Sequence, residues 1–208
     1  GFGANDAFYS SYTAGVSAGG ENYTAAIFRD ISSWYHMVFA FDTTQTTATD
    51  RVKMYVNGVQ QTLTVSNSPA LNSEYQVNSA NLHRIGGMSG SYADFHLTEI
   101  NFIDGQALGP EYFGFTDPLT NTWKPKKYTG TFTGTNTFYL PLDGSAPIGQ
   151  DQSGQGNNWT PQNFGGSVAL DNPQVSGARP ILNTTQGGTQ AGVGVFGSRE
   201  NVGYAVTV

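Results

Sequence analysis

The chain has 208 residues, a formal net charge of −6, only 12% charged residues, 27 glycines and no cysteine. That composition excludes disulfide staples and thiolate chemistry, and it argues against DNA or an anionic membrane as the main partner. No apolar run approaches the ~20 residues that span a bilayer as a helix, while a chain of this size can bury about 70% of its unfolded surface in one large all-β domain.

In chain order, residues 1 to 24 are rich in Gly, Ser, Tyr and Asn, with a strand predicted at Ala7 to Tyr12 and another at Ala25 to Phe28. The strongest strand runs from Trp34 to Phe41. Tyr35, Met37, Phe39 and Phe41 share one face, and Trp34, His36, Val38 and Ala40 share the other. Apolar character on both faces predicts an interior strand of a two-sheet sandwich, with Trp34 in the core. After the polar loop Thr43 to Asp50, alternation of Val52, Met54 and Val56 with charged and aromatic neighbours gives a half-exposed strand. Asn57-Gly58 then marks a tight hairpin, and Val59, Leu63 and Val65 return along the partner strand. A loop with Pro69 follows, then a short strand at Leu82 to Ile85.

The stretch Ile85 to Lys124 organises the rest. Phe95 to Asp104, FHLTEINFID, is a strand with a phase change: Phe95 and Leu97 lie on one face, Ile100 and Phe102 on the other. A bulge or bend near Thr98-Glu99 would bring all four to one buried face. Asp104-Gly105 stops the strand, because glycine accepts a positive φ without steric cost. Gly109 to Gly114 reads as one helical turn, with Pro110 in its first turn and Gly114 as a left-handed exit. Phe138, Leu140 and Leu142 alternate as a late strand. From Asp143 the chain thins to Gly, Asn, Gln and Ser, and 165–194 reads as loop or linker. The start at Gly1 and the strand-like stop at Val208 lead us to expect a piece of a longer polypeptide.

Several constellations invite chemistry. Glu99-Ile100-Asn101-Phe102-Ile103-Asp104 is similar to the Glu-Ile-Asp-x-x-Glu strand of laminarinase-type jelly-roll glycosidases. It departs from that pattern at Asn101 and Asp104, losing one acid and shortening another, in a chemistry that needs carboxylates about 5–5.5 Å apart for retention. Asp151-Gln152-Ser153-Gly154-Gln155-Gly156 has the oxygen rhythm of a calcium loop without the closing acid, since Gln162 occupies that place. Its other reading is a glycine-rich turn capped by Trp159. Asp94, Asp104 and Asp151 are the candidate metal ligands, with Ca²⁺ the only cofactor considered. His36, His83 and His96 have no ligand spacing, and there is no nucleophile elbow, phosphate loop or dinucleotide fingerprint. Tyr92, Trp123, Tyr128, Asn157, Asn158 and Trp159 are candidate carbohydrate- or partner-binding residues, since aromatic rings beside amides suit sugars and protein interfaces alike.

Trp34 to Asp42, Arg51 to Gly58 and the run TEINFIDGQALGPEYFGFTD…WKPKKYTGTFTGTNTFYLPLDGS…IGQDQSGQGNNWTPQNF carry a family resemblance covering roughly Ala25 to Leu182. They resemble laminin-G-like, concanavalin A-like modules in virion proteins of tailed bacteriophages, especially marine and cyanobacterial ones. The resemblance implies an all-β, two-sheet antiparallel jelly-roll sandwich over 1–142, its first strands missing or shortened. Residues 143–208 would then be an extension, a linker or the start of a further β module. It also implies a non-enzymatic fibre, tail or capsid-surface module on the virion. Its partners would be other virion proteins, copies of itself (a trimer) and host-surface glycans, with neither nucleic acid nor membrane insertion. A secreted laminin-G-like lectin or glycoside hydrolase is the alternative.

Overall fold

A computed structural model describes residues 6–14, 17–30, 33–65, 67–80, 82–88, 91–92, 97–143, 145–162 and 204–207. Among the described residues thirteen short strands follow in order: β1 (Tyr9–Ala14), β2 (Ser17–Thr24), β3 (Tyr35–Phe41), β4 (Val52–Val56), β5 (Val59–Gln60), β6 (Leu63–Val65), β7 (Gly87–Met88), β8 (Ser91–Tyr92), β9 (Ile100–Phe102), β10 (Gly114–Thr116), β11 (Trp123–Pro125), β12 (Phe138–Leu140) and β13 (Tyr204–Thr207). Two single 3₁₀ turns, Ala48–Asp50 and Pro110–Tyr112, are the only helical elements among the described residues. The described residues are therefore β-structured and antiparallel, in several small sheets with no single continuous sandwich among them. None of the described helical segments is long and apolar enough to cross a membrane. The chain divides into two compact units, 1–30 with 36–82 and 105–126, and 31–35 with 83–104 and 127–208. Residues on both sides of the expected 142/143 boundary lie in the second unit.

In the first unit β3 pairs with β4 from Met37↔Val56 to Phe41↔Val52, and β4 turns into β5 at Asn57-Gly58. Both turn residues have positive φ, 49° and 78°, the geometry that matches the right-handed twist of the flanking strands and that Asn-Gly adopts readily. Burial follows the alternation: Val52, Met54 and Val56 on β4 and His36, Val38 and Ala40 on β3 are buried, whereas Met37, Phe39 and Phe41 are half-buried. Trp34, expected in the core, is 36% exposed and lies just outside β3.

The return strand does not continue as one piece. It breaks at Gln61-Thr62, and β6 leaves β4 to pair with β2 through Asn22↔Val65 and Thr24↔Leu63. β2 also pairs with β1, with a register shift between Tyr12 and Ala14. The strand expected at Ala25 to Phe28 is absent because Thr24 turns the chain: its hydroxyl donates to the Ala26 carbonyl, 2.8 Å, and accepts the Phe8 amide, 3.0 Å. Leu82 to Ile85 is likewise irregular, the nearest strand being β7.

Pro110–Tyr112 forms the expected single turn, with Pro110 at its start and the Phe113 amide donating to the Pro110 carbonyl, 2.9 Å. Gly114 does not supply a left-handed exit; it opens β10. Its requirement is space. A Cβ there would run into the Trp123 indole, which also lies against Gly58. Trp123 is thus clamped between two glycines, and its indole N–H donates to His36 Nδ1, 3.0 Å. Asn57 Oδ1 accepts the His36 amide, 2.9 Å, closing the tie to the hairpin. Burial lowers the His36 pKa to about 4, against the opposing backbone bond to Phe113. The imidazole is therefore neutral near pH 7.

In the second unit β9 pairs with β12 from Phe138↔Phe102 to Leu140↔Ile100. The phase change read from the sequence is resolved by Glu99, whose φ is 58°. That bend leaves Leu97 and Ile100 both buried, and Phe102 stacks on Phe138 with centroids 5.3 Å apart. Phe95 lies outside the described residues.

Two outcomes test this packing. Gly114→Ala is expected to cost ~1–3 kcal/mol, because the methyl must displace an indole held on both sides, measured as a shift in urea midpoint at constant slope. His36 gives a pH signature. A buried histidine with a depressed pKa binds its proton more weakly folded than unfolded, so its contribution is intact above pH 6.5 and is lost as pH falls toward about 4. The loss should reach about 3 kcal/mol over that window, and His36→Gln should flatten it.

Candidate functional site

The β9–β12 ladder places the candidate acids, and it places them apart. At one end sit Glu99 and Tyr139. The Tyr139 hydroxyl donates to Glu99 Oε1 at 3.3 Å, the Glu99 amide donates to the Pro141 carbonyl at 3.0 Å, and the Asn101 amide group donates to the Glu99 carbonyl at 3.3 Å. Both strands leave this end through left-handed residues, Glu99 at φ 58° and Leu142 at φ 52°. Side-chain Cβ atoms make that conformation costly, most of all for a bulky leucine.

Desolvation raises the Glu99 pKa above its ordinary value against the hydrogen bond from Tyr139, with Asp143 adding to the rise and Lys127 opposing it. Desolvation, together with the Glu99 charge, pushes the Tyr139 phenol well up. Phe132 stacks on the Tyr139 ring at 5.9 Å, and Lys127 Nζ stands 5.8 Å from the ring centroid, within cation–π range. The Asp143 carboxylate is engaged locally, accepting the Ser145 amide at 2.9 Å and its hydroxyl.

Asp104 belongs to the other end. Its amide donates to Thr137 Oγ1 at 2.9 Å, its carboxylate accepts the Asn136 amide at 3.3 Å, and its carbonyl accepts the Thr133 hydroxyl. The whole of β9 lies between it and Glu99, a path of at most about 16 Å along the chain. The two carboxylates have separate partners, Glu99 the Tyr139 hydroxyl and Asp104 the Asn136 amide. Asp104-Gly105 makes the expected turn, with Gly105 at φ 81°.

The loop after β12 is built around Asp151. Its carboxylate accepts the amides of Tyr139 at 2.8 Å, Ser153 at 2.8 Å and Asn157 at 2.9 Å, and the Ser153 hydroxyl at 2.8 Å. Burial raises its pKa, but those donors outweigh burial and hold it below the usual carboxylate range. Asn158 Oδ1 accepts the Asp151 amide, and the Asn157 side chain donates to the carbonyls of Thr135 and Thr137, both at 2.7 Å. The rhythm read as a calcium loop is thus a carboxylate saturated by N–H and O–H donors, which are the groups a cation would have to displace. No group of three or more His, Asp or Glu side chains able to hold a metal occurs among the described residues. Asp94 and His96 lie outside the described residues.

The candidate binding residues divide between structural duties. Tyr128, read as a loop aromatic, is buried, with its ring edge-on to Phe132 at 5.1 Å. Trp123 is half-buried with its N–H committed to His36. Trp159 is half-buried and packs edge-on against Phe138, 5.0 Å away, as the expected cap of the loop. Asn157 and Asn158 hold the Asp151 loop. Tyr92 lies in β8, and its side chain is outside the described residues. Trp123 belongs to the first unit, and Tyr128, Asn157, Asn158 and Trp159 belong to the second.

Two ties in the first unit escaped sequence reasoning. Arg51 is buried and donates only to carbonyls, those of Gln45 at 2.8 Å, Pro69 at 2.7 Å and Thr46 at 3.0 Å. Asp117 pairs with Lys124 and accepts the Leu119 amide, which together lower its pKa to about 2. The Asp117-Pro118 turn followed by a lysine seven residues on was a usable signal for the second; nothing local marked the first.

Comparison with family models, with curated proteins and with solved structures finds no match.

Asp151→Asn keeps the size of the side chain but replaces half of its accepting capacity by a donor. It should destabilise the chain by roughly 2–4 kcal/mol, and added Ca²⁺ should leave the urea midpoint of the unmutated protein unmoved.

Proposed function

We propose that this chain is a non-enzymatic structural and adhesion module of a tailed-bacteriophage virion, a fibre, tail or capsid-surface component that engages host-surface glycans. In this reading the small sheets are parts of a laminin-G-like jelly roll, and the chain assembles with copies of itself, as a trimer, and with other virion proteins. The observation that carries it is the use made of the acids. Glu99 and Asp104 sit at opposite ends of one ladder, and Asp151, Asp117 and Asp143 each close a turn or loop. Acids spent on holding backbone suit a scaffold rather than a reaction centre. The motif run from Thr98 to Phe164 supplies the virion assignment, and the low charge and high content of neutral polar residues suit an exposed particle surface. Adhesion would then come from many weak sites whose effect multiplies when several copies engage together.

The test is antibody labelling of purified phage particles carrying the homologous gene product, with sedimentation of the recombinant chain for its oligomeric state. Labelled particles and a trimer are the expected results. In particles carrying Glu99→Gln, host adsorption should be unchanged. Abolished adsorption with intact folding and assembly would contradict a purely structural role for Glu99 and overturn the reading.

A further inference from the structure

The first unit contains a cavity of about 360 Å³ that none of the sequence motifs anticipates. Its size falls within the range of small-molecule sites. One wall is the 3₁₀ turn at Ala48 and Thr49, another the β4–β5 hairpin with the break at Gln61-Thr62, and a third the loop at Ser68-Pro69. Asn22 of β2 also lines it.

Three features give the cavity a chemistry. Its polar groups are neutral: Thr49, Gln60, Gln61, Thr62 and Ser68 present hydroxyls and amides, each able both to donate and to accept. The side chains of Thr49, Gln60, Thr62 and Ser68 make no hydrogen bond with other described residues. The one charged lining residue, Lys53, is already paired with Asp50 at 3.2 Å. Between these groups lie apolar surfaces from Val52, Leu63, Val65 and Pro69. Finally, Asn22 is 0% exposed, and its Oδ1 has no hydrogen-bond partner, although its Nδ2 donates to Ser10 Oγ at 3.3 Å. A buried acceptor left unpaired is costly, and it gives this wall of the cavity a polar backing.

From this we infer that the cavity is a binding site for a neutral saccharide, its hydroxyls bonded by the Gln60 and Gln61 amides and the Ser68 hydroxyl and its C–H face against Leu63 and Val65. The inference rests on the adhesion half of the function proposed above and locates it. A phosphate or carboxylate ligand would find no free cation. A purely apolar ligand would leave the unbonded side chains of Thr49, Gln60, Thr62 and Ser68 unused, Gln61 already donating to the Val59 carbonyl. The site is held open in advance: Arg51 bonds the carbonyls of Gln45, Thr46 and Pro69, fixing the chain that leads into one wall to the residue that forms another. Binding to a preformed cavity saves the ordering cost that a mobile loop would impose.

The experiment is titration of the ¹⁵N-labelled full chain with galactose, glucose, mannose and N-acetylglucosamine, each alone at millimolar concentration, with glucuronate and inorganic phosphate as anionic controls. At least one neutral sugar should give saturable amide shifts confined to Thr49, Gln60 to Leu63 and Ser68. Gln60→Ala should weaken it roughly fivefold, and Ala48→Trp, which fills the mouth from an exposed position, should abolish it, both with unchanged melting. No shifts with any neutral sugar, shifts elsewhere, equal binding by Ala48→Trp, or tighter binding of glucuronate or phosphate would overturn the inference. Particle labelling is independent of this cavity. A silent titration with labelled particles sinks the cavity site alone, while a positive titration without labelling leaves the site and removes the virion.

Discussion

Short strands leave most of the backbone outside any ladder, and the donors and acceptors stranded there must be met by something other than sheet partners. Here the strands run from two to eight residues, and β9, β10, β11 and β12 have three each. A ladder that small contributes few bonds, and a two-stranded ribbon alone is marginal in water. What fixes the loops is a set of polar side chains, each reaching several backbone groups at once. Arg51 collects three carbonyls, Asp151 three amides and a hydroxyl, Asn157 two carbonyls.

Apolar packing works on the same joints. Trp123 closes the space between two glycines while its N–H reaches His36, so one side chain seals a contact and orients a hairpin. Trp159 does the like against Phe138, its amide donating to the Gly149 carbonyl at 2.7 Å. These aromatics resemble ligand platforms when only their neighbours in sequence are considered. Their duty becomes visible once the distant partner is known. Of the two buried side-chain oxygens left unpaired among the described residues, Asn22 Oδ1 belongs to a residue lining the cavity and Asn101 Oδ1 lies on β9.

What the sequence made legible was local. Asn57-Gly58, Asp104-Gly105 and Pro110 each encode a backbone conformation within two or three residues, and each stands as read. The bend at Glu99 was legible because side chains alternate strictly along a strand, so a switch of apolar face has to be absorbed somewhere. Non-local choices were hidden. Nothing between Val59 and Val65 says that β6 will desert β4 for β2, because these residues end exposed or half-buried and no buried face fixes the partner. Asp151 was open to two readings for a related reason: an oxygen-rich loop looks the same whether its carboxylate faces a cation or four hydrogens. Arg51, in a run that suggested surface charge, turned inward to carbonyls from two loops, and Tyr128 went inward against Phe132.

The carbonyl cage around Arg51 has a bearing on the medium in which such a protein works. Mobile ions weaken attraction between separated charges, and at high ionic strength their reach shrinks to a few ångströms. A guanidinium seated among peptide dipoles at bonding distance offers those ions little to screen, unlike an exposed pair such as Arg29 and Asp6. The tie that joins these loops is therefore as firm in brine as in dilute buffer.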